Sequence, residues 1–280
     1  MLLIHWMCGH VPAFYEYLKS TLCALKGEVE VMQSSEIPNG SSAKQRVFDK
    51  YRKNGPYHWE VLSYNPFVRN LVHLGRYQVA RRLLAEALYG ITDKRILDMG
   101  CGDGVLSYCI AREGGVVSGI DLDKYAIEFA RKRTRRYRTS IDFSVQDVCA
   151  TEFTNDSFDA IVSNEVIEHV PNPEKMLLEM KRILKSDGVA VVSTPIRITK
   201  RPLDQYHVNE WFQEDFCDVV SSIFPNVEYR VSHPVAFTDL WYRSGFARRV
   251  LQVISVFSNP MCFESDRGIF RQQYAVVRKT

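Results

Sequence analysis

The segment Ile96-Leu-Asp-Met-Gly-Cys-Gly-Asp-Gly104 places glycines at alternate positions directly after an apolar run that ends in a carboxylate, Asp98. Glycines at such a bend let the backbone turn tightly and approach a ligand with no Cβ in the way. A dinucleotide-binding loop has the spacing G-x-G-x-x-G and sets a pyrophosphate on the following helix N-terminus. Here the last glycine comes one residue early and an acid precedes the first. A carboxylate beside the bend repels a pyrophosphate and attracts the ammonium of an amino-acid-like ligand, which points to S-adenosylmethionine (SAM) rather than NAD. Asp121, in Ser118-Gly-Ile-Asp-Leu-Asp123, stands where a carboxylate accepts hydrogen bonds from ribose hydroxyls. Asp147, in Val145-Gln-Asp-Val148, is placed to accept from an exocyclic adenine amine. Three acids at the C-terminal ends of successive strands, where open α/β sheets bind their ligands, are expected to form one site.

A second constellation lies in Ser163-Asn-Glu-Val-Ile-Glu-His169. If a helical turn starts there, Glu165, Glu168 and His169 share one face. A sulfonium methyl donor is already activated, so its enzyme must align an in-line attack, exclude water and take the proton of the nucleophile. His169 is the first candidate for that proton, and His207, in Tyr206-His-Val-Asn-Glu-Trp211, the second. The same four residues, Glu165, Glu168, His169 and His207, are also a donor set of oxygen and nitrogen that suits a divalent cation. The alternative for His169 is that it only orients its loop.

The elements that must position these groups follow from hydrophobic period. Short runs rich in strand-favouring residues occur at 95–99, 115–120, 141–145, 158–162 and 189–193. Segments of helical period separate them, notably Asp123 to Arg136 and Pro173 to Leu184, with Pro173 suited to a first turn and Gly188 to the exit. This alternation predicts an α/β, doubly wound, mostly parallel sheet covered on both faces. Two later runs, 226–231 and 273–278, complete seven strands at one edge, with an insertion at about 233–265 between them. Residues 1–75 read as an aromatic-rich helical cap with breaks at Ile37–Ser42 and Lys53–Pro56, and residues 76–280 as the main domain.

The motifs LDMGCGDG, GIDLD, VQDV and SNEVIEHV, in this order and spacing, resemble the class I SAM-dependent methyltransferase family over residues 76 to about 232. The resemblance implies a Rossmann-like fold. It further implies that Asp98, Gly100 and Gly102 contact the methionine part of SAM, Asp121 the ribose, Asp147 the adenine and Asn164 the pocket rim, with Cys101, Leu122 and Val148 beside them. The Glu-x-x-Glu-His pattern is similar to that of ubiquinone-pathway O-methyltransferases and of small-RNA 3′-end 2′-O-methyltransferases. His207, shortly before Glu210 and Trp211, is similar to the second group. The expectation is O-methylation of a hydroxyl on a sugar, lipid-linked glycan or other small metabolite. The alternatives are a metal-assisted 2′-O-methyltransferase acting on RNA and a SAM-binding regulatory protein without turnover.

Composition adds bounds. A net charge of +3 over 280 residues predicts by itself neither a nucleic-acid binder nor a membrane-surface protein. The seven cysteines include no C-x-x-C pair and suit a reducing, cytoplasmic setting. The apolar opening lacks a basic flank and is not read as a signal peptide, and no apolar run reaches the roughly 20 residues of a spanning helix. Peripheral membrane contact remains open through the basic, amphipathic stretch Leu240 to Leu251, which reads as a lid, a docking surface or a buried face. The dense basic run Arg131 to Arg138 falls at a helix end, where cations offset the macrodipole; RNA phosphate is the functional alternative. The cap aromatics, 53–59 and 65–67, read as an acceptor-stacking set or as a small locking core. Oligomeric state is not legible in the sequence.

Overall fold

The computed structural model describes residues 50–199, 204, 206–265 and 268–279; the break expected at 37–42 and the apolar opening lie outside them. Seven strands form one sheet: β1 (Arg95–Met99), β2 (Val116–Asp121), β3 (Asp142–Val145), β4 (Phe158–Asn164), β5 (Leu184–Pro195), β6 (Val227–Pro234) and β7 (Phe270–Arg278). Their order is β3-β2-β1-β4-β5-β7-β6. The first five run parallel, and β7 is antiparallel to both of its neighbours. The chain reverses direction in order between β1 and β4, so the loops after β1, β2 and β4 open at one edge, the place where such sheets hold ligands.

Eight α-helices belong to the described residues: α1 (Lys50–Asn54), α2 (Leu71–Leu88), α3 (Val105–Arg112), α4 (Lys124–Arg136), α5 (Pro173–Ile183), α6 (Gln213–Ser221), α7 (Val235–Arg243) and α8 (Gly245–Ile254). Alternate strand residues point to opposite faces, and the apolar runs are long enough to feed both. Leu97, Met99, Ile161, Ala190 and Val192 pack with Met176, Leu177 and Met180 of α5 and Phe216 and Val220 of α6. Their neighbours Ile96, Ala160, Val162, Val189 and Val191 pack with Val79, Leu83 and Leu84 of α2 and Leu106 and Ile110 of α3. A sheet buried on both sides needs such continuous apolar strands.

The observed bounds differ from expectation in three places. The first main helix begins at Leu71, because the Asn70 side chain accepts the backbone N–H groups of Val72 and His73 and caps it there; the seam expected at residue 76 falls inside α2. The helix from Pro173 ends at Ile183, since Leu184 is already extended (φ −68°, ψ 139°). Gly188 therefore sits within β5, where pairing jumps from Phe158↔Leu184 to Ala160↔Val189. That jump is a register shift that loops out part of 185–188. The insertion forms α7, α8 and a 3₁₀ turn, Pro260–Cys262, around a satellite core of Leu71, Val72, Trp241, Leu251 and Met261.

Candidate active site

All three glycines of the bend hold left-handed backbone: Gly100 at φ 83°, Gly102 at φ 53° and Gly104 at φ 80°. A Cβ on Gly100 would strike the Val166 side chain, and one on Gly102 the Tyr51 hydroxyl. The bend is tied to the end of β2. The N–H groups of Gly100 and Cys101 both donate to the Ile120 carbonyl at 2.8 Å, and the Gly102 N–H donates to Asp121 Oδ2 at 2.9 Å. Asp121 Oδ1 accepts the Asp123 N–H at 2.8 Å. Asp121 is thus a latch between bend and sheet with one lone pair used on each oxygen, which leaves capacity for further donors.

Asp98 is only 2% exposed. It is turned onto α3, where the Ser107 hydroxyl donates to its Oδ2 at 2.6 Å. Burial, with Asp121 close by, pushes the Asp98 carboxyl up to about 7, and burial pushes Asp121 up to about 6. Among the described residues neither acid has an ion-pair partner. A third acid, Asp103, lies inside the bend and is fully buried. Its carboxylate accepts the His58 N–H at 3.0 Å and its carbonyl accepts the Trp59 indole N–H at 2.7 Å, so it straps residues 57–62 over the bend. Asp103 was not among the expected site residues, although an acid between two glycines is visible in the sequence.

The remaining expected cofactor residues surround this bend unequally. Cys101 is buried with its Sγ near the Gly102 carbonyl, and burial holds its thiol well above the ordinary value, so it is a filler and not a nucleophile. Leu122 is 72% exposed beside Asp121. Val148 is buried with Met99 and Ile120. Asp147 is exposed and folds its own turn by accepting the Cys149 N–H at 2.8 Å. Asn164 ends β4, and its Oδ1 accepts the Ser193 hydroxyl at 3.0 Å.

After β4 the chain does not start a helix at Glu165. That residue is left-handed (φ 59°), and a 3₁₀ turn, Ile167–His169, follows. The shared helical face expected for Glu165, Glu168 and His169 does not form. Glu165 instead pairs with Arg76 at 2.9 Å and accepts the Gln272 side-chain amide. Glu168, His169 and His207 do converge, with one donor atom of each inside 4.8 Å of the others; Glu165 is outside that group. The Glu168 carboxyl is buried and accepts the Thr194 hydroxyl at 3.1 Å. Burial, then Glu165, holds it well above the ordinary carboxylate range. His169 Nδ1–H donates to the Tyr206 carbonyl at 3.0 Å, which puts the ring lone pair on Nε2, and burial lowers its pKa. His207 Nδ1 lies 2.8 Å from Glu210 Oε1. The two imidazole centroids are 5.1 Å apart.

Beside the bend stands a group of rings: Tyr51 and Tyr57 at 5.6 Å, Tyr57 and His58 at 4.0 Å, His58 and His73 at 5.2 Å. Burial raises both phenols and pushes His73 well below its ordinary value, so those three rings are uncharged near pH 7, while His58 Nδ1 faces Asp103 Oδ1 at 3.4 Å. Trp59 is different. It is buried and stacked on Tyr137 at 5.4 Å, the locking role among the two foreseen. Phe67 lies away from the wall, under the Arg249 guanidinium at 5.0 Å.

The model of the Methyltransferase domain family matches residues 92–230. A ubiquinone biosynthesis O-methyltransferase of Actinobacillus pleuropneumoniae serotype 5b (strain L20) is 34% identical over 162 residues, 56% of this chain and 67% of the relative. The chain belongs to the class I SAM-dependent methyltransferases. A second ubiquinone biosynthesis O-methyltransferase, of Pasteurella multocida (strain Pm70), is 34% identical over 129 residues, 42% of this chain; the methyltransferase spans about half (52%) of that relative's length. Among solved structures, a phosphoethanolamine N-methyltransferase 2 of Haemonchus contortus with S-adenosylhomocysteine bound shares the fold, with a TM-score of 0.61 at 18% identity over 86% of this chain and 61% of that one. SAM is the family's methyl donor, and the site fits it: a cradle that a Cβ would fill, beside the buried Asp98 and half-buried Asp121 carboxylates, which have no cation partner among the described residues.

Both raised carboxyls make stability depend on pH. Their folded pKa values lie above the unfolded ones, so their contribution is full below about pH 4 and is lost as pH rises through about 6 and 7. At about 1.4 kcal/mol per pKa unit, Asp98 alone is expected to withdraw a few kcal/mol from the unliganded methyltransferase between pH 4 and 8. The melting temperature of Asp98→Asn relative to the wild type should therefore rise from pH 4 to pH 8; a constant difference would show that Asp98 ionises as freely as in water.

Proposed function

We propose that the protein is an O-methyltransferase that acts on a hydroxyl of a sugar, lipid-linked glycan or other small metabolite, with His169 as the group that removes the acceptor proton. The observation that carries the reading is the state of His169. Its Nδ1–H is held by the Tyr206 carbonyl, its pKa is lowered by burial, and the ring is therefore neutral near pH 7 with a basic Nε2. The relatives reported above, named as O-methyltransferases, support the oxygen acceptor.

SAM brings an activated methyl group, so the protein's own task is to hold, align and keep water out. In this reading Asp98 and the Gly100–Gly102 backbone hold the methionine part, Asp121 the ribose, and Asp147 with Leu122 and Val148 the adenine. Asn164 forms the rim. Arg76, by pairing with Glu165, keeps the start of the post-β4 segment in its left-handed bend and so sets where His169 stands. The wall of Tyr51, Tyr57 and His58 rings excludes water from the side of the bend. His207, fixed by Glu210, is the second candidate base. The described cysteines are free thiols, which suits the cytoplasmic setting that belongs to this proposal.

A second reading is favoured by one observation, the convergence of Glu168, His169 and His207. Both rings are held through Nδ1, by a carbonyl and by a carboxylate, as metal-bound histidines usually are. A carboxyl and two imidazoles would suit a divalent cation that acidifies a bound hydroxyl, and an RNA 2′-hydroxyl as acceptor belongs to this reading.

Three outcomes test these assignments. His169→Ala should leave SAM affinity unchanged by calorimetry and lower kcat by about 10²- to 10⁴-fold. The wild-type rate should fall as pH drops through the lowered His169 pKa, below 6.5, and the variant should lack that limb; equal kcat in the two proteins removes His169 as base. Asp121→Ala should weaken SAM binding by about 1.5–3 kcal/mol, the loss of a charge-assisted hydrogen-bonding group, and an unaltered Kd would remove the ribose assignment. Dialysis against a chelator decides the metal: loss of turnover restored by Mn²⁺ in the wild type but not in Glu168→Ala establishes it, and indifference to chelator excludes it.

A further inference from the structure

We infer that the outer face of α8 and the turn after it form a docking surface for anionic phospholipid bilayers. The helix is already satisfied on its inner side. Leu251 joins the core of Leu71, Val72, Trp241 and Met261, and the Gln252 amide donates to the Phe67 and Arg69 carbonyls at 3.2 and 3.4 Å. A helix at a protein surface needs one apolar stripe; α8 carries a second one facing out. Phe246, Val250 and Val253 follow at i, i+4 and i+7, which at 3.6 residues per turn is one side of the cylinder, and Phe257 stands in the turn after the helix end. Phe246 is 81% and Phe257 91% exposed. Phe67, Val250, Val253 and Ile254, with Arg249, line a groove of about 550 Å³ on this face.

Charge identifies the occupant. From Leu240 to Phe263 the sequence has three arginines, Arg243, Arg248 and Arg249, and no carboxylate. Apolar and aromatic side chains flanked by basic ones are what an interfacial helix presents to acidic headgroups over acyl chains. A second copy of this chain is a poorer occupant, because a two-fold interface would set the same arginines against one another. No helix of the described residues is long and apolar enough to cross a membrane, so the contact is peripheral. It reaches the active site through one element: the Asn259 amide donates to the Leu71 carbonyl at 3.1 Å, the Met261 side chain fills the space over Gly75, and the next residue of α2 is Arg76, partner of Glu165.

The test is sedimentation of the full chain with vesicles of phosphatidylcholine alone or mixed with phosphatidylglycerol. The wild type should sediment with the anionic vesicles and be released by high salt. Arg243→Glu and Arg249→Glu should each weaken binding by at least about fivefold, at roughly 1 kcal/mol per basic residue at an anionic surface. The double variant Phe246→Ser, Phe257→Ser should stay in the supernatant while its melting temperature and SAM affinity match the wild type, since both side chains are exposed. Absence of vesicle binding by the wild type, or equal sedimentation of the double variant, overturns the proposal. A wild-type dimer that this variant splits, without lipid binding, overturns it in favour of a self-interface.

Discussion

Negative charge withdrawn from water around Gly100 to Gly104 is the constraint on which the rest depends. Asp98, Asp103 and Asp121 crowd one bend, two of them fully buried, and isolated buried carboxylates are strongly disfavoured unless donors or cations compensate them. The protein supplies a serine hydroxyl for Asp98, backbone N–H groups for Asp121, and a backbone N–H with the facing His58 ring for Asp103. Positive φ at Gly102 goes with the N–H that it turns to Asp121. The parallel register of β1 on β2, with Met99 opposite Ile120, brings Asp121 to the bend. A ligand bearing positive charge relieves what these donors leave, which is a physical reason for a family on this sheet to bind a sulfonium amino acid.

How much of this was legible in the sequence depends on range. The five parallel strands and the two-sided cover were readable because each apolar run is uninterrupted and the segments between have helical period, a local signal. The bend was readable from Asp98 and the glycine spacing. The antiparallel placement of β7 between β5 and β6 had no local sign, since pairing order is decided by which edges are free after the first five strands close ranks. Helix bounds moved where one side chain intervened, as Asn70 does at α2.

The catalytic edge was harder to read for the same reason. A motif such as Glu-x-x-Glu-His suggests a helical face, but Glu165 is drawn off by Arg76, 89 positions earlier, and by Gln272, 107 positions later. Its left-handed backbone follows from serving those partners. His58 and Tyr51 likewise reach the bend from a segment that in sequence looks like an extension. Sequence spacing ranks residues that share an element; it is blind to residues that meet only when elements fold together.

The central position of the last strand sets an order of assembly. Everything needed for the glycine bend and its latch is present once residues 50 to about 164 have folded, yet Glu165 finds its amide partner on β7, and β6 finds there its only neighbour among the described strands. In chain order the donor-binding half precedes the reacting half, and until β7 is in place β6 has neither edge paired; one edge stays open in the finished sheet. Such an unpaired strand is a template for association with other chains. Exposed Glu228 and Arg230, paired two residues apart on one face of β6, keep that face hydrated and set charge beside the edge that stays open.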